Sequence, residues 1–165
     1  MMTEQEQVLF ACVDNCCYFK LRGALRYTNA TGMDDLVERL FSHHTGCNRV
    51  VVDLNEASFM DSTYIGLLAG LARYCQLQQL PRPTLFSTHA EVNELLFSLC
   101  LEQAFDIVQQ PTHQVLAMAA IGTQQYTEQQ QGEMILRAHE ALIALNDSNK
   151  SQFQPVVDLL KQQLK

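Results

Sequence analysis

The sequence predicts an α/β fold: a mixed, mostly parallel sheet with helices packed against it, followed by a C-terminal helical hairpin. Three observations carry this. Strand-like runs alternate with helically spaced apolar stripes between residues 7 and 121. The run Arg49 to Asn55 is almost continuously apolar, as in a strand covered on both faces. Past residue 126 only helical stripes remain, separated by polar turn residues.

The elements follow in order. Residues 7–25 read as two strands, Val8–Cys12 and Cys17–Leu21, joined by the turn chemistry of Val13-Asp14-Asn15, with Gly23 breaking the second. Met33, Leu36, Val37, Leu40 and Phe41 are helically spaced, so a helix is expected from Asn29 or Thr31 to His44, ended by Thr45-Gly46. After the strand at 49–55 and a short polar turn, Ile65, Leu68, Ala72, Cys75 and Gln79, widened by Leu67 and Leu71, predict a helix from Ser62 to Leu80, stopped by Pro81.

Thr84–Ser87 is a further strand, and Thr88-x-x-Glu91 reads as a capping box for the helix of Val92, Leu95, Leu96 and Leu99. Phe105–Val108 is the last expected strand, with a closing helix from Pro111 through Val115-Leu116-Ala117-Met118. This places one domain over residues 1–121. A Gln-rich join leads to a helical extension over 127–165, opened by the capping box Thr127-x-x-Gln130. Met134, Ile135, Ala138, Ala141, Leu142 and Leu145 form its first stripe; Phe153, Val156, Val157, Leu160 and Leu164 form its second, across an Asn146–Asn149 turn. Two short helices are marginal alone, so they must dock, and packing on the domain is preferred to binding a partner. Phe97, off its own stripe, is expected to seat the hairpin.

Composition narrows the function. The net charge is −7, from 18 acids against 11 bases, and no basic stripe is visible. Nucleic acid is therefore not an expected partner. No run reaches the roughly 18 apolar residues of a membrane span, and the acidic start lacks signal-peptide character, so a cytoplasmic protein without membrane attachment is expected. The six cysteines read as small buried hydrophobes. His43-His44-x-x-Cys47 lacks a matching second pair, so neither a metal nor any other cofactor is expected; the two histidines suit a helix C-terminus.

The chemistry concentrates at Phe59-Met60-Asp61-Ser62-Thr63-Tyr64, where a β-branched run turns into a helix. Three roles for Ser62 are open. A nucleophile needs a base and an oxyanion hole; G-x-S-x-G is absent and no motif brings a histidine near, although His89 follows the next strand. A helix N-cap would contribute on the order of 1 kcal/mol. A phospho-acceptor is the third, because a helix N-terminus stabilises an anion and phosphorylation adds roughly −1.5 to −2 charge without unfolding its host.

Val52-Asp53-Leu54, then Phe59-Met60-Asp61-Ser62-Thr63, then Ile65-Gly66 with Gly70, resembles the signature of STAS-domain anti-anti-sigma factors. The resemblance implies the STAS fold over roughly residues 7–121 and a non-enzymatic partner switch. The unphosphorylated form would bind an anti-sigma factor of the GHKL kinase type and free the sigma factor. The kinase would phosphorylate the protein, and a PP2C-type phosphatase would reverse this. Carried over by position, Ser62 is the acceptor, Thr63 the fallback, and Asp61 the flanking acid that contacts the kinase or its magnesium.

Two departures bear on partner choice. Tyr64 replaces the usual glycine, and Arg26, in Gly23-Ala24-Leu25-Arg26-Tyr27, stands where the family has an acid. The extension resembles that of longer Gram-negative members, through Ala138-His139-Glu140-Ala141-Leu142 and Val156–Leu160; in those systems kinase and phosphatase can share one response regulator. Two alternatives stand beside this reading: a STAS subunit of a membrane transporter, docking without phosphorylation, and a small-ligand or nucleotide sensor.

Overall fold

The computed structural model describes residues 6–42, 46–112, 115 and 117–165. Its elements are β1 (Gln7–Val13), β2 (Cys16–Leu25), α1 (Thr31–Ser42), β3 (Arg49–Met60), α2 (Ser62–Leu77), β4 (Thr84–Phe86), α3 (Ala90–Ser98), β5 (Asp106–Val108), β6 (Ala119–Ile121), α4 (Glu128–Leu145) and α5 (Asp147–Gln163). The six strands form one sheet in the order β5-β4-β3-β2-β1-β6. The pairs from β2 to β5 are parallel, and β1 pairs antiparallel with β2 and β6. The expected mixed, mostly parallel α/β sheet is thus present.

Asp14 and Asn15, at φ 52° and 64°, make the two-residue turn between β1 and β2, a geometry that these residue types tolerate. Gly23 does not end β2. It lies at φ 81° beside a register shift, and the strand continues to Leu25. β3 gains one residue on β2 at each of two bulges, so it runs on through the expected polar turn to Met60. The last bulge turns Phe59 outward, 45% exposed, and Met60 inward. This is what delivers the chain to the corner.

The core takes Val50, Val52 and Leu54 from β3 and Cys17, Phe19, Leu21 and Leu25 from β2, against α1, α2 and α3. The helices therefore cover one face. On the other, Lys20 and Arg22 pair with Glu56, so β3 is not helix-covered on both sides as its apolar run suggested. Val51, on that face, is nevertheless buried, between the half-buried Tyr18 of β2 and Thr84 of β4.

Several boundaries differ from expectation. α2 ends at Leu77, and Gln79 at φ 59° turns the chain before Pro81 is reached. α3 is capped by His89, whose ring accepts from the Val92 N–H, and not by Thr88, whose N–H donates to Asn55. No helix follows Pro111 among the described residues; Ala119–Ile121 instead adds an edge strand to β1. Leu116 and the pair His43-His44, with Thr45, lie outside the described residues. Only Cys17 and Cys75 are buried: Cys12 is exposed and Cys16, Cys47 and Cys100 are half-buried, all free thiols.

The two C-terminal helices dock on the sheet domain. The Thr127–Gln130 capping box opens α4, and Met134, Ala138 and Leu142 bury in the common core. Asn146 alone separates the helices, accepting from the Ser148 N–H, so the expected four-residue turn is one residue long. Buried Asn149 donates to the Leu99 carbonyl and fixes α5 to the end of α3. Phe97, expected to seat this hairpin, is instead 41% exposed.

Candidate functional site

The corner is built by Asp61. It is the N-cap of α2, with extended backbone, and its Oδ1 accepts from the Tyr64 N–H at 2.9 Å. Its Oδ2 accepts from the Tyr27 N–H at 2.7 Å, and its own N–H donates to the Leu25 carbonyl at 3.0 Å. One carboxylate thus holds the end of β3, the start of α2 and the loop after β2 together. The capping role open to Ser62 belongs to Asp61, which leaves the Ser62 hydroxyl free of its own helix. Both Asp61 oxygens are already engaged within the chain.

Beyond Asp61 the expected site residues separate. Ser62 is half-buried and Arg26 exposed, its guanidinium 5.0 Å from the centre of the Phe59 ring. Tyr27 is exposed beside them. Thr63 is 4% exposed and Tyr64 0%. Tyr64 therefore does not present a ring to partners. The helical turn that starts at Ser62 points residue 64 into the core, where burial and the nearby Asp61 carboxylate push its phenol pKa up. Its hydroxyl has no hydrogen-bond partner among the described residues. Thr63 is likewise turned inward, which weakens it as a second acceptor.

The residue that the sequence did not bring to this site is His139 of α4. Ser62 Oγ and His139 Nε2 are 3.0 Å apart, and His139 Nδ1 lies 2.7 Å from the Ile135 carbonyl oxygen. A carbonyl only accepts, so Nδ1 carries a proton, and in the neutral imidazole Nε2 is then the acceptor. The Ser62 hydroxyl therefore donates to Nε2. The imidazole is 4% exposed, with the Phe153 ring edge-on at 5.4 Å. The one available signal was a titratable residue four positions after Ile135, inside an apolar stripe.

This contact has the nucleophile–base geometry of a hydrolase, but the base is oriented by a carbonyl and not a carboxylate. Two clefts, of about 460 and 450 Å³, flank α2. Neither is lined by Ser62 or His139, so neither offers a substrate to this pair. Among the described residues no three His, Cys, Asp or Glu side chains converge on a metal position, and no helix is long and apolar enough to cross a membrane.

α4 is held in place by close contacts. A Cβ on Gly66 would lie 2.3 Å from the Ala138 carbonyl oxygen, so only glycine lets the helices approach this far. Asp34, buried on α1, accepts from Tyr126 at 2.6 Å and from Arg137 at 2.9 Å. Burial, then the Asp34 carboxylate, push the Tyr126 phenol up.

A mixed sheet with helices on one face, leading through an Asp-capped corner to a half-buried serine, defines a domain that presents one hydroxyl at a helix start. The STAS domain model matches residues 7–118, and the chain belongs to that family. Solved structures share the fold. A protein of Thermotoga maritima put forward as an anti-sigma factor antagonist is 18% identical over 59% of this chain and 82% of its own, with a TM-score of 0.53. The Bacillus cell fate determinant SpoIIAA in its phosphorylated form is 16% identical over 64% of this chain and 91% of its own, with a TM-score of 0.50. No curated protein matches the chain significantly in sequence.

Proposed function

We propose that this protein is an anti-anti-sigma factor whose binding to an anti-sigma factor of the GHKL kinase type is switched by phosphorylation of Ser62. The observation that carries the reading is the Ser62 hydroxyl, held at the start of α2 by an Asp61 cap and left unused by its own helix. An anion on that oxygen would meet the free N–H groups and the positive end of the helix dipole. Family membership supports the reading, as does the Bacillus protein of similar fold, which is known in a phosphorylated form.

In this scheme the Ser62 oxygen bonds to the γ-phosphorus of ATP, the bond to the ADP oxygen breaks, and the hydroxyl proton passes to a base on the kinase. Nucleotide and magnesium belong to the kinase. Arg26, Tyr27 and Phe59 form the exposed rim that the partner reads, with an aromatic and cationic character suited to protein interfaces. Asp61 shapes that rim from beneath. A PP2C-type phosphatase, in some systems within a response regulator, restores the hydroxyl. The setting is cytoplasmic.

Capture of a purified GHKL-type kinase by Ser62→Ala and Ser62→Asp proteins tests the proposal. Ser62→Ala should retain the kinase and Ser62→Asp should lose it. Equal capture by both would refute the switch.

A further inference from the structure

We propose that the C-terminal helices are an intramolecular clasp that reads the state of Ser62, docked on the hydroxyl and released by the phosphate. This inference rests on Ser62 being the acceptor and adds a device that reading does not contain.

The docked contact suits only the neutral side chain. In the neutral imidazole, with Nδ1–H donating to the Ile135 carbonyl, His139 Nε2 is an acceptor, so the bond needs a donor on residue 62. A phosphoserine has no such donor at neutral pH; its bridging oxygen would face a lone pair at the 3.0 Å that the hydroxyl hydrogen bond now spans, with the phosphate added beside it. Asp61 alongside is an acid, and Arg137, two residues before His139, is paired with Asp34. Nor can the ring step aside: it is buried against Phe153, and the Ala138 carbonyl is packed onto Gly66.

α2 and α4 thus respond to the phosphate with opposite signs. The start of α2 stabilises an anion, whereas α4 offers it a lone pair and apolar packing. The modification is kept and the clasp is expelled. In the docked state the Ser62 hydroxyl is engaged by His139, so its transfer chemistry requires that contact to open, and phosphorylation traps the opening.

The test uses the full chain with phosphoserine encoded genetically at position 62, which needs no kinase. Hydrogen exchange is compared in the Ser62, Ser62→Ala and phosphoserine forms. In the phosphoserine form, protection of α4 and α5 should fall roughly tenfold to a hundredfold, on the scale of an uncompensated, partly buried charge, while β2 and β3 keep theirs. Ser62→Ala, which removes one hydrogen bond and adds no charge, should lower it by less than roughly tenfold. Unchanged α4 protection would overturn the clasp, as would a docked α4 with both His139 nitrogens protonated by ¹⁵N NMR. Neither result depends on kinase capture, so the failure of the clasp and the failure of the partner switch are distinguishable.

Discussion

Gly66→Ala isolates the docking of α4 from the stability of the helix on which it docks. Gly66 lies inside α2 at ordinary helical backbone angles, so alanine there favours the helix itself by about 1 kcal/mol. The new methyl would meet the Ala138 oxygen at 2.3 Å, its carbon at 2.6 Å and its Cβ at 2.8 Å. Two of these are backbone atoms that no rotamer change moves. Restoring ordinary contact needs α4 to retreat by roughly 1 Å. Ser62 and His139, one residue beyond Ala138, would then be roughly 4 Å apart, too far for a hydrogen bond. Overpacking of this kind costs about 1–3 kcal/mol, and the cost falls on the α2–α4 contact.

The natural control is Gly70→Ala on the same helix, where an added Cβ meets nothing within 4 Å. It should stabilise the protein by about 1 kcal/mol with α4 still docked. Hydrogen exchange followed by mass spectrometry separates the two. Gly66→Ala should lower the protection of α4 by a factor of about 5–30, and Gly70→Ala should not. If both variants leave α4 equally protected, the close approach at Gly66 is not what seats the hairpin and the reasoning fails.

Three further outcomes are expected. Tyr64→Phe removes a buried hydroxyl without a partner among the described residues and should raise stability by about 1 kcal/mol in urea unfolding, whereas a loss of that size would show the hydroxyl to be satisfied. Tyr64 and Tyr126 hold their protons in the fold above the ordinary value of 10.0, so between that pH and the higher folded values the unfolded chain has lost protons that the native chain keeps. Stability should therefore fall as pH rises past about 10, with these two phenols ionising only on unfolding; ionisation of all five tyrosines in the folded protein would contradict this. The Cys17 thiol, hydrogen-bonded to Cys47, holds the Cys47 pKa down, while that contact and burial push Cys17 up. Iodoacetamide near pH 7 should accordingly label Cys47 ahead of buried Cys17 and Cys75, and equal labelling would refute the assignment.

The corner was legible because its determinants are local. A β-branched run, an Asp-Ser-Thr triplet and a helical stripe lie within the thirty consecutive residues from Val50 to Gln79. The exact cap was not, since Asp and Ser both cap well and the choice was made by the Tyr27 N–H, 34 positions away. Tyr64 was misread for a related reason: adjacency to an exposed serine says nothing about exposure where a helix begins, because consecutive residues there point about 100° apart. The Thr127 box was read correctly, as both its partners sit within three residues. β6 was missed because Ala119-Ala120-Ile121 has no strand pattern of its own and exists through its pairing with β1. His139 was invisible for the same reason on a longer scale, 77 residues from the hydroxyl that it accepts from.

The most direct test of the central claim is to locate the phosphate. The protein is incubated with a GHKL-type kinase and Mg-ATP and mapped by tandem mass spectrometry. A single phosphate on Ser62 is expected, abolished by Ser62→Ala with no transfer to buried Thr63. A phosphate on any other residue, with Ser62 unmodified, would contradict it.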